Sequence, residues 1–293
     1  MARELSTQHL QMYKPGHELS KLFDCVVSDP ELSFEIRIND TAMVYYNKKK
    51  ILTISLKKGK ISISPLSDKY YQPGEEPKVD ISAPENWKRV SAIEQYLKDS
   101  KWLVYKKDMK KEFQLQQSFS LGNRDTRNRY LVIDMEWQFS QESIDKNNRI
   151  KATRPDLVVL DLQPNQEGEN VIYLAEVKLG TDALLGKSGL EDHVISTKKI
   201  AECMPACAAL VADVKKILVQ KQELGIIKGD IPELKLSSKP KMMFLMGYRG
   251  DDERNEIEKA MSKIIPIPKV LDGSVVIYHD ALITINSCVV TKI

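Results

Sequence analysis

The chain has no run of eighteen consecutive apolar residues, so none of its segments has the apolar length that a membrane-crossing helix needs. Its first stretch, MARELSTQHLQMYKPGHEL, has no apolar core of the signal-peptide kind, and the expectation is a cytoplasmic protein. Cysteine is scarce. Four residues in 293 (Cys25, Cys203, Cys207 and Cys288) argue against a disulfide scaffold and for reduced thiols. Cys203 and Cys207 are four apart on a helical stretch with His193 upstream. A zinc site would need a fourth ligand that is not found nearby, so the pair reads as buried thiols on one helical face. Neither sign of charge is in excess: 44 basic against 41 acidic side chains leave a net charge of +3, which permits a nucleic-acid partner without requiring one. Internal repeats and low-complexity tracts are also missing, which excludes solenoid and disordered classes.

What is present divides into two parts. After an initial helix and loop, FEIRIND, TAMVYYNKKK, ILTISLKKG and KISISPL alternate or are β-branched, and predict a meander of short antiparallel strands. The proline-bearing stretch DKYYQPGEEPKVDISAPEN then reads as a linker. This gives an N-terminal β-rich module over 1–85, of unknown role, and a second domain over 86–293. In the second part Val90, Ile93, Tyr96 and Leu97 share a helical face, and MKKEFQLQQSF continues as helix. RYLVIDMEWQF, RPDLVVLDL and NVIYLAEVKLG read as strands, and residues 189–224 as a long helical region. MMFLMG reads as a buried strand, DDERNEIEKAMSKI as a helix, and SVVIYHDALITI as one or two strands. The fold class is therefore α/β, a mixed central sheet flanked by helices.

The stretch LAEVKLGTDALLGKSGLEDH (174–193) holds two competing motifs. Gly180, Gly186, Lys187 and Ser188 suggest a phosphate-binding loop, but five residues separate the glycines where a Walker A loop has four. Ser188 with Glu191 suits a helix-opening capping box better. The other motif is Glu176-Val177-Lys178. If the hairpin of 154–162 and 171–179 closes with Asp161 facing Val171, opposed residue numbers sum to 332. Asp156 then lies opposite Glu176, and Arg154 opposite Lys178. Period-two alternation puts Glu176 and Lys178 on one face, and Leu157, Val159, Ala175 and Val177 on the other. Two or three carboxylates can hold Mg²⁺ in an oxygen shell that keeps several waters. A lysine one pleat away can orient or deprotonate a water, or stabilise a pentacovalent phosphate. The plainer alternative is that Asp156 caps a strand while Glu176 and Lys178 form an exposed salt bridge.

RPDLVVLDL…YLAEVKLG, with Pro155-Asp156 and Glu176-Val177-Lys178, is similar to the PD-(D/E)XK nuclease superfamily, and the element order over roughly 87–248 agrees. The resemblance implies a restriction-endonuclease-like αβββαβ core and metal-dependent hydrolysis of phosphodiesters, usually in DNA. The implied metal is Mg²⁺, with Mn²⁺ as substitute. It also implies a further acid on the first core helix or strand, for which Glu112 and Glu136 are the candidates. Asp134 shares the polar face of its strand with Glu136 and has a supporting place; Leu131, Ile133, Met135, Trp137 and Phe139 form the apolar one. The expected protein is thus a nuclease (deoxyribonuclease) with metal ligands Asp156, Glu176 and Glu136, catalytic Lys178, and DNA as partner, with a homodimer as one arrangement. The alternative is a catalytically inactive nuclease fold that binds nucleic acid or protein. Lys48, Lys49, Lys50, Lys57, Lys58 and Lys60 give the N-terminal module basic turns, suited to phosphates or to guarding edge strands. His193, opening the helix after the motif, and Arg249, after MMFLMG, complete the candidates.

Overall fold

The computed structural model describes residues 3–108, 110–138, 154–181, 184, 190–264, 274–280 and 288–292. Gly186, Lys187, Ser188 and Phe139 lie outside them, as do the side chains of Glu191 and Cys288. Two compact units emerge, Ala2–Gln117 with Lys215–Ile227 and Ser118–Val214 with Lys228–Ile293. Among the described residues no helix is long and apolar enough to cross a membrane.

The first unit is built on the expected meander: β1 (Ser33–Arg37), β2 (Thr41–Tyr46), β3 (Lys49–Lys57) and β4 (Lys60–Ser64), in that order and antiparallel throughout. Two of its hairpins close through two residues, Asn47-Lys48 and Lys58-Gly59, all at positive φ. That is the type I′ turn, whose twist matches the strands it joins. Helices α1 (Thr7–Met12), α2 (Ser20–Ser28) and α3 (Val90–Asp108) accompany the sheet, and α3 packs on α2 and β3. The stretch expected as a linker, 68–86, has Ile81 buried and is otherwise exposed or half-buried. Leu66 before it and Trp87 after it are buried, and the Leu66 N–H donates to Tyr96 Oη at 2.7 Å while that hydroxyl donates to the Ile51 carbonyl at 2.6 Å. The first compact unit runs on to Gln117. The segment 215–227 also belongs with the first unit, because Lys221 forms a buried ion pair with Glu35 of β1, Nζ to Oε2 2.6 Å.

A buried polar chain near the N-terminus sets a pH dependence. His9 is fully buried, its Nδ1 is 2.9 Å from Asp40 Oδ1, and Tyr13 Oη is 2.9 Å from its Nε2. Burial lowers the His9 pKa below its ordinary 6.5 even against the pull of Asp40. A histidine kept neutral in the fold takes up its proton more readily when unfolded. Stability is therefore complete above about pH 6.5 and is lost as pH falls towards the folded pKa. An NMR titration of the His9 ring is expected to give a midpoint under 6.5; a midpoint above it would contradict this placement.

The second unit holds a six-stranded mixed sheet in the order β10-β9-β8-β7-β6-β5. Its strands are β5 (Tyr130–Met135), β6 (Leu157–Asp161), β7 (Ile172–Leu179), β8 (Lys241–Tyr248), β9 (Val275–Asp280) and β10 (Cys288–Lys292). The first three form an antiparallel meander, β8 runs parallel to β7, and β9 parallel to β8. Helix α4 (Lys111–Gly122) precedes β5, α5 (Leu190–Glu202) and α6 (Met204–Glu223) cross from β7 to β8, and α7 (Asp251–Ile264) crosses from β8 to β9. Both parallel crossovers advance in the same direction. With the usual right-handed connection, their helices fall on one face. Leu190 and Val194 of α5 and Ile257 and Met261 of α7 indeed share a cluster with Met242, Phe244 and Met246 of β8. The expected single helical region over 189–224 is two helices, parted at Cys203 because Pro205 has no N–H and its ring crowds the carbonyl four residues back. Cys203 and Cys207 are free and buried, and the Cys207 thiol donates to the Ile200 carbonyl at 3.3 Å.

Candidate active site

The β6–β7 hairpin has the 332 register: Leu157 pairs with Ala175, Val158 with Leu174, Val159 with Tyr173 and Leu160 with Ile172. Local chemistry holds it there. Asn165 Oδ1 accepts the N–H groups of Glu167 and Glu169 inside the connecting loop, and Asn170 Nδ2 donates to the carbonyls of Asp161 and Leu162. Continued one residue outward, the register sets Asp156 against Glu176. There the Asp156 carboxylate replaces a backbone acceptor: its Oδ2 takes the N–H of Val177 at 2.9 Å. Asp156 therefore does cap the ladder.

Glu176 and Lys178 pair with Phe244 and Met246 of β8, on the face that α5 and α7 cover. Their ion pair, Lys178 Nζ to Glu176 Oε1 at 2.8 Å, exists but is not the exposed one of the plainer alternative. The two side chains are only 11% and 6% exposed. The second oxygen of Glu176 is 3.0 Å from His193 Nδ1, on the first turn of α5. Burial alone would raise the Glu176 pKa, but the hydrogen bond and charge of His193, then Lys178, outweigh it and lower it. Burial works the other way on His193, and Glu176 raises its pKa above the ordinary 6.5. The lowered glutamate stabilises fully above its ordinary 4.5 and the raised histidine below its ordinary 6.5, so the pair contributes most between those values.

The backbone of Glu136 meets that of Asp156 by a route the sequence does not show. The strict alternation expected along β5 is broken by a bulge: Val132 pairs with Val159, yet Asp134 pairs with Val158. The slip of one residue moves Glu136 opposite Asp156, and the Glu136 N–H donates to the Asp156 carbonyl at 2.9 Å. Glu136 itself has φ +58, a left-handed backbone that a non-glycine residue adopts at some cost, and such residues gather at functional sites. Bulged strands re-aim side chains in the same manner. The strand has no solvated polar face. Asp134 is fully buried, with Oδ1 accepting the Met135 N–H, and Leu131 rather than Ile133 shares its side of the sheet. Trp137 Nε1 donates to Asp213 of α6 at 3.2 Å.

Arg154, placed opposite Lys178 by the register, turns instead to β5: its Nη1 is 3.6 Å from Glu136 Oε2. Glu112 lies half-buried in the first turn of α4, in the compact unit of Ala2–Gln117, and Glu136 is the acid whose N–H bonds the Asp156 carbonyl. Arg249 is exposed at the end of β8. Gly180 ends β7 at φ +77, its N–H bonded to the Gly247 carbonyl, and a Cβ there would meet Glu253 Oε1 at 2.8 Å. This glycine serves a tight strand exit. From its place at the start of the helix after the Glu-x-Lys strand, His193 was expected to reach a phosphate or to complete the helix N-terminus; its contact with Glu176 is the role that the sequence did not indicate.

Among the described residues, no group of three or more His, Cys, Asp or Glu side chains is arranged to hold a metal ion. Two buried carboxylates set against each other are nonetheless a sufficient protein contribution for Mg²⁺, which keeps most of its waters and shares substrate phosphate oxygens. Asp156 and Glu176 fit that smaller donor set. Comparison of the chain with protein-family models, with curated proteins and with solved structures gives no match.

Proposed function

We propose that the chain is a Mg²⁺-dependent nuclease that hydrolyses DNA phosphodiester bonds at Asp156, Glu176 and Lys178. The observation that carries this reading is the burial of two carboxylates and one ammonium on a single face, where β6 gives out and β7 continues. Burying an ion costs several kcal/mol unless partners offset it, and buried ionisable groups clustered in this way are characteristic of working sites. The order α4, β5, β6, β7, α5, α6, β8, with β8 parallel to β7, supports the reading, with two helices after β7 where the resemblance implies one.

Asp156 and Glu176 would hold the ion, with Glu136 next to them. When bound, Mg²⁺ lowers the pKa of a coordinated water and neutralises charge gathering on the phosphate. Lys178, one pleat from Glu176, places its ammonium where it can orient the attacking water or meet the developing charge as a point donor. His193 secures the far oxygen of Glu176 and keeps that carboxylate ionised.

Linear, circular and single-stranded DNA incubated with the protein are expected to be cut in Mg²⁺ or Mn²⁺ and spared in EDTA. Cleavage indifferent to chelator would reject the reading. A binding module without catalysis is favoured by one specific observation: both oxygens of Glu176 are already engaged, by Lys178 and His193. In that case DNA binding persists in EDTA and no product forms under any condition.

A further inference from the structure

The outer face of α3 carries a feature that the core does not use. Trp102 and Tyr105, one helical turn apart, are 60% and 49% exposed. Their rings stack, with centroids 5.8 Å apart and planes inclined by 18°. Ile93, Tyr96, Leu97, Leu103 and Val104 already supply the buried stripe of this helix. Helical spacing places Lys98 one turn before Trp102 and Lys106 one turn after it, both exposed. Lys106 is held by Glu75 at 2.7 Å in a surface pair, a weak link that a phosphate can replace.

A second group of cations follows in the next segment. The ammonium groups of Lys48, Lys49 and Lys110 lie 5.3, 4.7 and 5.3 Å from the centroid of the Phe113 ring. Lys48 comes from the type I′ turn after β2, Lys49 opens β3, and Lys110 is the residue before α4. The ring attracts each cation. From Tyr105 to Lys110 the chain spans at most about 18 Å, so rings and cations are within reach of one short polymer.

We propose that this surface binds a single-stranded polynucleotide, with bases stacked on Trp102 and Tyr105 and phosphates at Lys98 and at the cations around Phe113. Single strands expose the base faces that stacking needs, and aromatic rings beside a basic track are the usual means of holding them. A protein partner would also take up the rings, but lysine is depleted at protein interfaces, and here it surrounds them. None of these residues belongs to the site of Asp156 and Glu176, so the surface stands or falls independently of the nuclease reading.

The test uses the full chain, fluorescein-labelled oligo(dT) and oligo(U), and a duplex of equal length, all in EDTA to prevent cleavage. Trp87 and Trp137 are buried, at 5% and 1% exposure, so quenching of tryptophan emission reports on Trp102. Single strands are expected to quench that emission and to bind at least tenfold tighter than duplex. Preference for one sugar over the other then assigns DNA or RNA. Trp102→Ala is expected to weaken binding at least fivefold, and Trp102→Phe to restore most of the loss. Exchanging Lys48, Lys49 and Lys110 together for glutamine is expected to reduce the slope of log K against log salt by about 2, at about 0.7 per phosphate contact. Unchanged melting temperatures separate lost binding from lost folding. If a variant melts lower, quenching of the parent protein and its single-strand preference decide alone. Duplex bound as tightly as single strands, or unquenched emission, would overturn the proposal. So would failure to bind any oligonucleotide at about 50 mM salt, and the rings would then belong to a protein partner.

Discussion

Replacing Lys178 by methionine is expected to lower metal-dependent cleavage by about 10²- to 10⁴-fold while DNA binding and Mn²⁺ affinity stay within about threefold of the parent. The apolar stem of the lysine lies among buried residues of β7 and β8, and methionine keeps that volume. What is lost is the ammonium 2.8 Å from Glu176 Oε1. Glu176 still keeps His193, so the carboxylate is not left without a partner and the fold is expected to survive. Because the ammonium is not a metal ligand, its loss belongs to the transition state and not to ion binding. Asp156→Ala and Glu176→Gln are expected to differ from it. Each removes a negatively charged oxygen donor from a very small set, so metal affinity and cleavage fall together. Calorimetric Mn²⁺ titration beside a nicking assay separates the two patterns. If all three variants bind the ion equally and cut normally, these residues are not the active site.

The second large effect concerns stability. Lys221→Met is expected to cost about 3–5 kcal/mol, out of a total that for most domains is about 5–15 kcal/mol. Lys221 and Glu35 are 1% and 0% exposed at the side chain, and Nζ is 2.6 Å from Oε2. Removing the lysine takes a cation away from a carboxylate held in the interior, where Ser33 Oγ also donates to Glu35 Oε1. The penalty is the cost of keeping that charge buried with one partner fewer. Adding Glu35→Leu should therefore recover part of the loss, because the buried charge is gone and apolar volume replaces it. Urea unfolding of the parent, the single variant and the double variant measures this. A single variant within about 1 kcal/mol of the parent would mean that the pair is not dry.

Much of the fold and part of the site are legible in the residues themselves. Alternation in FEIRIND, TAMVYY and ILTISL marks β1 to β3, and the Asn-Lys and Lys-Gly pairs mark their turns, because these signals are written within a few neighbouring residues. Pro155-Asp156 and the apolar runs around Glu176 and Lys178 likewise carry the 332 register, since one slipped residue would turn every apolar side chain to the wrong face. Pro205 also announces the break between α5 and α6, a local signal that periodicity alone passes over.

Other features depend on partners that no local pattern names. The bulge between Val132 and Asp134, which brings Glu136 to Asp156, is an agreement between two strands and leaves alternation in either one nearly unaltered. His193 meets Glu176 only because α5 folds back over the face on which β7 carries its charges. Glu35 and Lys221 find each other across 186 residues. The sequence by itself determined the strand meander of the first unit and the shared face of Glu176 and Lys178, because period and turn chemistry act between near neighbours. Only the tertiary structure decided which charged groups meet, because that depends on how separate elements pack, and burial then makes each such meeting strong.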